Sequence, residues 1–503
     1  MKHEIPTKRV ILGLESFILT PLAQKLEQHL HIDSQKIALT LFQDVAASVP
    51  AYQAFLAEQG INSQDIQTLA DFQNLPKINK ENYISRYSLP QLCNNGNIGG
   101  CDMIAASSGS TGKPTFWPRS FTDELQIATR FEQIFHDSFY ADTKSSLAVI
   151  CFALGTWVGG IFTTNCCRYL AAKGYPITVI TPGNNKAEIL RIVQELGGNF
   201  EQVVLLGYPP FLKDVIDTGI ANGMQWGQYN IKLVMAGEVF SEEWRNLVAQ
   251  RIGSENPCHD FASMYGTADA GVLGNETPLS ICIRRFLAAK PDAAKALFGE
   301  SRLPTLVQYD PSSRFFEVED GNLLFSGDNG VPLIRYNIGD HGGLITYAEM
   351  LEFLANWDFD PITELENHRA IHQLPFVYVF GRSNFTVSYF GANIYPENVT
   401  VGLEQPIIRE WVTGKFVLQV KEDADKNRFL SVVVELAPGV EDQEEKRLSI
   451  TTSILSQLLR LNSEFANYIP PQYQTPVVEL KPIGDLEYFP IGVKHRYTRN
   501  NIS

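Results

Sequence analysis

Between residues 146 and 252 the chain alternates short apolar runs with amphipathic segments: LAVICFAL, then PITVIT followed by NKAEILRIVQELGG, QVVLLG followed by PPFLKDVIDTG, and IKLVMAG followed by SEEWRNLVAQRIG. A strand followed by a helix, repeated at roughly 25–30 residues, predicts crossover units on a largely parallel sheet. The helix starts carry suitable chemistry: Ser241 with Glu242 and Glu243 reads as an N-terminal cap. The texture differs on either side. Residues 1 to about 95 place apolar positions at helical spacing, as in SQKIALTLFQDVAASVPAYQAFLAEQG. From 306 to 346, short strands separated by Asp-Gly and Asn-Gly turns predict an antiparallel, barrel-like module. Near Gly381 a last unit begins, with the hairpin KFVLQVKEDADKNRFLSVVVEL and the helix EEKRLSITTSILSQLLRLNSEF, which predict a small α+β domain. At 503 residues the chain is too long for one core. The expected class is therefore α/β, with a large unit over 1–381, mainly helical at its start, and a small α+β unit over 382–503.

Composition narrows the function. The formal net charge of −15 argues against broad nucleic-acid binding, which needs clustered positive charge. The seven cysteines are odd in number, irregularly spaced and without a CxxC, which fits reduced thiols in the cytoplasm. Cys258 and His259 are adjacent, with Cys282 further on, and could contribute to a metal site, but no second closely spaced ligand pair accompanies them. The uncharged stretch LAVICFALGTWVGGIFTTNCC has the length of a membrane helix. Gly155, Gly159, Gly160 and Asn165 break it instead into a buried strand, a turn and a packed helix, so no membrane span is expected. The start of the chain is not expected to be a signal peptide, because Glu15 interrupts its apolar run and no small-residue cleavage site follows.

One stretch carries chemistry on its face. In AASSGSTGKPTFWPRS, residues Ser107, Ser108, Gly109, Ser110, Thr111 and Gly112 precede Lys113. Glycine permits close approach of backbone N–H groups to phosphate oxygens, hydroxyls add donors, and a lysine adds a point charge. The glycine spacing and the Pro114 after the lysine depart from the Walker pattern. Read alone, the stretch suits a plain surface loop as well as a phosphate cradle. Five further motifs follow in order. VMAGEVF puts Gly237 and Glu238 at a strand's carboxyl tip, where ligands sit on such sheets. SMYGTADAG, IRYNIGDHG and VFGRSNFTVSYFGANIYP supply Tyr265, Asp340 and Arg382, and PIGVKHRYT supplies Lys494 near the end of the chain.

Taken together, this ordered set resembles the adenylate-forming superfamily of acyl-CoA synthetases and firefly luciferase, and within it the phenylacetate-CoA ligase-like branch. The resemblance runs from about residue 100 to the end, most specifically in SSGSTGKPT. It implies a large adenylate-forming domain, with parallel-sheet subdomains and a small β-barrel, and a mobile C-terminal lid. It also implies ATP, Mg²⁺ and coenzyme A as cofactor and co-substrates. The implied reaction joins a small-molecule carboxylic acid to AMP, releases pyrophosphate, and passes the acyl group to a thiol. Ser107 to Lys113 would hold the β- and γ-phosphates, Gly237 and Glu238 would border adenine and the acyl pocket, and Tyr265, with Gly266 and Thr267 beside it, would stack on the purine. Asp340 would accept from both ribose hydroxyls, Arg382 would couple the nucleotide to the small domain, and Lys494 would bridge the carboxylate and the α-phosphate. Gly391 would line the thiol tunnel.

The sequence departs from the superfamily pattern in three places. Tyr265-Gly266-Thr267-Ala268-Asp269 moves the hydroxyl one place and puts Asp269 where a Mg²⁺-associated glutamate is usual. The hinge acid is replaced by Asn384, and Lys494 sits one place later than the common Gly-Lys order. The acyl pocket is expected near Trp157, Gly207, Tyr208 and Ala236, and the branch favours an aromatic acid. Two alternatives stand beside a CoA ligase: an adenylating enzyme that loads a carrier protein, and a nucleotide-binding homologue that has lost catalysis.

Overall fold

The strands of the parallel region are apolar at nearly every position because both of their faces are covered. In QVVLLG, Val203 and Leu205 pack with Ile189, Val193, Leu212 and Trp244 on one face. Val204 and Leu206 pack with Phe131, Phe135, Phe162 and Leu170 on the other. The computed structural model describes residues 5–498 apart from 108–114, 157, 238, 301, 366–368, 370, 383–386, 390–391, 423–427, 463–464, 467–468, 470 and 491–494. Before the first strand run the helices Ile5–Leu19, Leu22–Leu30, Ser34–Ser48 and Pro50–Glu58.

A short antiparallel hairpin comes next, β1 (Met103–Ser107) with β2 (Thr115–Arg119). The main sheet is built from β3 (Ser146–Ile150), β4 (Ile177–Ile180), β5 (Gln202–Gly207), β6 (Ile231–Ala236), β7 (Phe261–Thr267), β8 (Gly271–Asn275), β9 (Thr305–Gln308), β10 (Phe315–Glu319), β11 (Asn322–Gly327), β12 (Leu333–Ile345) and β13 (Phe376–Arg382). Its order is β10-β11-β12-β13-β9-β8-β7-β6-β5-β3-β4. From β4 to β7 neighbours are parallel and joined through helices. From β7 to β10 every pairing is antiparallel. The antiparallel module expected over 306–346 is thus present and continues the parallel half edge to edge in one sheet.

The uncharged stretch after residue 146 resolves into β3, a turn and the helix Val158–Ala172. No described helix is long and apolar enough to cross a membrane. The capping expected at Ser241 is present: its hydroxyl accepts from the Trp244 amide at 3.0 Å and starts the helix Glu242–Ile252.

Beyond β13 the chain forms a separate hydrophobic cluster, which includes Val387, Ile394, Phe416, Val432, Ile454 and Leu480. It is organised by a two-stranded β14 (Val387–Tyr389) and β15 (Ala392–Ile394), and by a three-stranded β16 (Val412–Glu422), β17 (Arg428–Leu436) and β18 (Val477–Lys481). The helix Glu444–Leu461 covers this sheet through Ile450, Ile454 and Leu458.

Under the parallel half lies a buried ion network. Arg245 donates to Glu242 at 2.9 Å and to Glu276 at 2.6 Å, and Arg284 also pairs with Glu242. Removing one partner from such a network leaves a buried charge uncompensated. Arg245→Ala should therefore cost about 3–5 kcal/mol, measured as a fall in the urea midpoint.

Candidate active site

Described residues of the Gly237, Tyr265, Asp340 and Arg382 motifs meet at the carboxyl ends of β6 and β7, where β12 folds back over the β7–β8 turn. Tyr265, in β7, donates its hydroxyl to Asp340 of β12 at 2.7 Å, and both are buried. One turn of the strand earlier in β12, Tyr336 donates to Asp269 of the β7–β8 turn at 2.7 Å. Asp340 stands opposite Arg382 in the β12–β13 register, so the backbone brings the acid and the arginine of two distant motifs side by side. The turn itself is tight. The Thr267 hydroxyl accepts from the Ala270 amide at 3.1 Å, and a Cβ added to Gly266 would lie 2.6 Å from the Gly271 carbonyl.

Arg119, the last residue of β2, holds this turn from the other side. It is 1% exposed, donates to the Asn329 carbonyl at 2.8 Å, and donates to the Ala268 carbonyl next to Asp269. Burial lowers its pKa, and Asp123 and Asp269 nearby oppose that shift. The same low-dielectric surroundings, with Asp328 close by, push Asp123 up to about 6. Neither Arg119 nor Tyr336 was a candidate from sequence. The signal for Arg119 is a charged residue ending the strand that follows the Ser/Gly loop. The signal for Tyr336 lies inside IRYNIGDHG, immediately before the asparagine of that motif.

At the tip of β6, Gly237 has φ +82, and a Cβ there would stand 2.8 Å from the Tyr208 ring. That ring meets Phe152 edge-on at 5.0 Å, forming an apolar wall at the ends of β3 and β5. Ser107 closes β1 opposite Thr115 and so marks the base of the Ser/Gly loop. Ser108, Gly109, Ser110, Thr111, Gly112 and Lys113 lie outside the described residues, as do Trp157, Glu238, Asn384, Gly391 and Lys494. Of Arg382 only the backbone is described. No group of three His, Cys, Asp or Glu residues among those described is arranged to hold a metal ion, and this includes Cys258, His259 and Cys282. Asp269 therefore offers a single carboxylate. That fits the mode in which Mg²⁺ takes one or two protein carboxylates and completes its shell with phosphate oxygens and water.

The C-terminal unit docks beside this site through several contacts, among them an ion pair of Arg302 with Glu397 at 3.4 Å. Arg302 lies over the Tyr395 ring at 4.0 Å and the Phe380 ring at 4.6 Å. Lys213 donates to the Val412 carbonyl at 3.2 Å, and Arg251 pairs with Glu410 at 2.8 Å. A further contact is buried: the Ser241 hydroxyl donates to Glu404.

No protein-family model matches the chain, and no curated protein matches it in sequence. Its fold is nonetheless that of solved acyl-CoA ligase structures. It is similar to 2-hydroxyisobutyryl-CoA ligase in the postadenylation state in complex with R3-HIB-AMP, with a TM-score of 0.63 at 13% identity over 93% of this chain and 89% of that one. The same ligase with 2-HIB-AMP gives 0.62 at 12% identity over 93% and 89%. Its open conformation with 2-HIB-AMP and CoA gives 0.52 at 13% identity over 93% and 91%.

Glu404 makes the docking of the C-terminal unit dependent on pH. Burial raises its pKa from 4.5 to about 8, with Glu243 adding to the shift and Ser241, Arg284 and Lys213 opposing it. An acid with a raised folded pKa stabilises fully below its unfolded value and loses that contribution as pH rises through the folded one. Wild-type thermal stability should therefore fall between pH 4.5 and 8 by more than that of Glu404→Gln, as read by parallel melting curves across that range.

Proposed function

We propose that this protein activates a carboxylic acid with ATP to an acyl-adenylate and then forms a thioester with coenzyme A, releasing AMP and pyrophosphate. The observation that carries the reading is the Tyr265–Asp340 hydrogen bond of 2.7 Å beside the Gly237 strand tip, with Arg382 in register across from the acid. It gathers into one place residues from four motifs spread over almost 150 positions of sequence. The fold shared with a CoA ligase over 93% of the chain supports the same reading.

In this proposal Asp340 accepts hydrogen bonds from the two ribose hydroxyls, a task suited to a carboxylate with several lone-pair sites. The Tyr265 hydroxyl keeps that carboxylate oriented while its ring offers a face to the purine. The bare backbone at Gly237 lets the adenine approach where any side chain would meet Tyr208. Ser107 to Lys113 cradle the β- and γ-phosphates, and Lys113 follows the departing pyrophosphate. An oxygen of the substrate carboxylate attacks the α-phosphorus, and Lys494 and Arg382 hold the reacting groups together and offset the growing negative charge. A bound Mg²⁺, held through Asp269, would supply charge neutralisation at the phosphates. The C-terminal unit, residues 382–503, acts as the lid that carries Lys494, with Asn384 as its hinge and Gly391 on the thiol path. The apolar wall of Phe152 and Tyr208 suits an aryl or medium-sized apolar acid, in keeping with the phenylacetate-CoA ligase-like branch. Free thiols and the use of ATP and coenzyme A suit a cytoplasmic enzyme.

Carboxylic acids should drive pyrophosphate release from MgATP, with AMP as the nucleotide product and aromatic acids as the best substrates. A broad acid panel that yields no pyrophosphate would instead mark a nucleotide-binding protein without catalysis. Thioester formation on adding CoA, but not a phosphopantetheinylated carrier protein, separates the ligase from a carrier-loading enzyme. Lys494→Ala should slow adenylation by about 10²–10³-fold while ATP binding, measured by calorimetry, changes little; unchanged adenylation would remove that lysine from its role.

A further inference from the structure

The parallel strands also have amino ends, and there a second cavity of about 780 Å³ opens, away from the site described above. Its walls include Ser138, Tyr140, Cys258, His259, Cys282 and Arg285. Cys258 sits in the helix Pro257–Asp260, which leads directly into β7. Cys282 sits in the helix Pro278–Ala289, which follows β8. The two thiols hydrogen-bond to each other, and neither is in a disulfide. Cys258 is partly exposed, and Cys282 is 9% exposed beneath it. The neighbouring His259 stacks on Tyr140 at 5.7 Å, and the thiols gain no third ligand among the described residues. Ser138, 1% exposed, brings to the same cavity a hydroxyl without a hydrogen-bond partner among the described residues. Small polar molecules therefore have both an opening and an unmet hydrogen-bonding group next to the thiols.

We infer that Cys258 and Cys282 are a peroxide-oxidisable thiol pair, a modification site that staples the base of the β7–β8 hairpin. The hydrogen bond from Cys282, with Arg285 nearby, holds the Cys258 thiol below the usual thiol range, and the same bond pushes Cys282 above it. Cys258, the more exposed of the two in the cavity, is the attacking sulfur and Cys282, buried, the resolving one. In the first step the Cys258 sulfur bonds to one peroxide oxygen, the O–O bond breaks, and the other oxygen leaves as water with the Cys258 proton, giving a sulfenic acid. The Cys282 sulfur then bonds to the Cys258 sulfur, the S–O bond breaks, and a second water leaves with the Cys282 proton. The two thiols are oxidised by two electrons and hydrogen peroxide is reduced to two waters. Cys151, Cys166 and Cys167 are fully buried, and burial pushes their thiols well up, so they do not compete. Cys93 and Cys101, just before β1, form a comparable thiol contact among the described residues and are the internal comparison.

The test uses the full-length reduced protein with near-stoichiometric hydrogen peroxide, followed by alkylation, digestion and mass spectrometry. The expected product is a cross-linked peptide joining Cys258 to Cys282, lighter by about 2 Da than the two thiol peptides and separated by dithiothreitol. Oxidised wild type should also melt at a higher temperature than reduced wild type. In Cys282→Ser, dimedone should label Cys258 and no cross-link should form; in Cys258→Ser, Cys282 should stay unlabelled at the same dose. A cross-link found only at Cys93–Cys101 overturns the inference, as do two thiols that both remain alkylatable after a dose that oxidises glutathione. The wild-type mapping decides the matter even if a serine variant folds poorly, and it needs no acid, ATP or CoA.

Discussion

Two tyrosine–carboxylate hydrogen bonds hold the site together. Tyr265 to Asp340 and Tyr336 to Asp269, each 2.7 Å, tie β12 to the β7–β8 turn although three strands separate β12 from β7 in the sheet. The sheet must curl for those bonds to form, and the curl brings its antiparallel half over the carboxyl ends of its parallel half. Arg119 fixes the same turn through the Ala268 carbonyl and carries the β1–β2 hairpin with it. A buried acceptor left without its donor costs more than the bond itself contributes. The four side chains and the arginine therefore stand or fall as a group.

The parallel half was legible because its physics is local. Strands buried on both faces read as unbroken apolar runs, and the helices between them carry their own caps, as Ser241 does. The division of residues 147 to 167 into strand, turn and helix was legible for the same reason: glycines and an asparagine mark where the chain turns. Asp340 was legible as an acid among glycines, but IRYNIGDHG reads as a tight turn and the structure instead places Asp340 within β12, paired with β13. Tyr336, four residues before Asp340, was not legible, because a tyrosine in a strand is ordinary core until its hydroxyl finds an acid on a distant turn. Arg119 was hidden likewise. Its partners are backbone carbonyls at positions 268 and 329, and carbonyls leave no mark in a sequence. The continuity of the antiparallel strands with the parallel ones is also a matter of edge pairing, which depends on long-range register and not on local composition.

Two kinds of charged group in the interior bear on the seam and on the strands beneath it. Arg245, Glu242, Glu276 and Arg284 satisfy one another beneath the sheet, and their geometry is fixed by forked guanidinium contacts. Glu404 has no cation bonded to it among the described residues; a serine hydroxyl is its partner, and burial keeps its proton on near neutrality. The first kind gives a rigid base for the strands. The second places a weakly held acid at the seam between the main sheet and the C-terminal unit, where a small change in protonation changes how firmly the two are joined.

The remaining seam contact is of another nature. Arg302 presents the flat faces of its guanidinium to Tyr395 on the C-terminal unit and to Phe380 on β13. Hydrogen bonds such as Lys213 to the Val412 carbonyl have a direction and break when the units turn. Stacked planes have no such direction and keep most of their attraction while one slides across the other. Arg302 combines this with a directed contact, its guanidinium donating to Glu397 of the C-terminal unit at 3.4 Å, so one side chain joins the two bodies by a face that tolerates sliding and by a bond that does not.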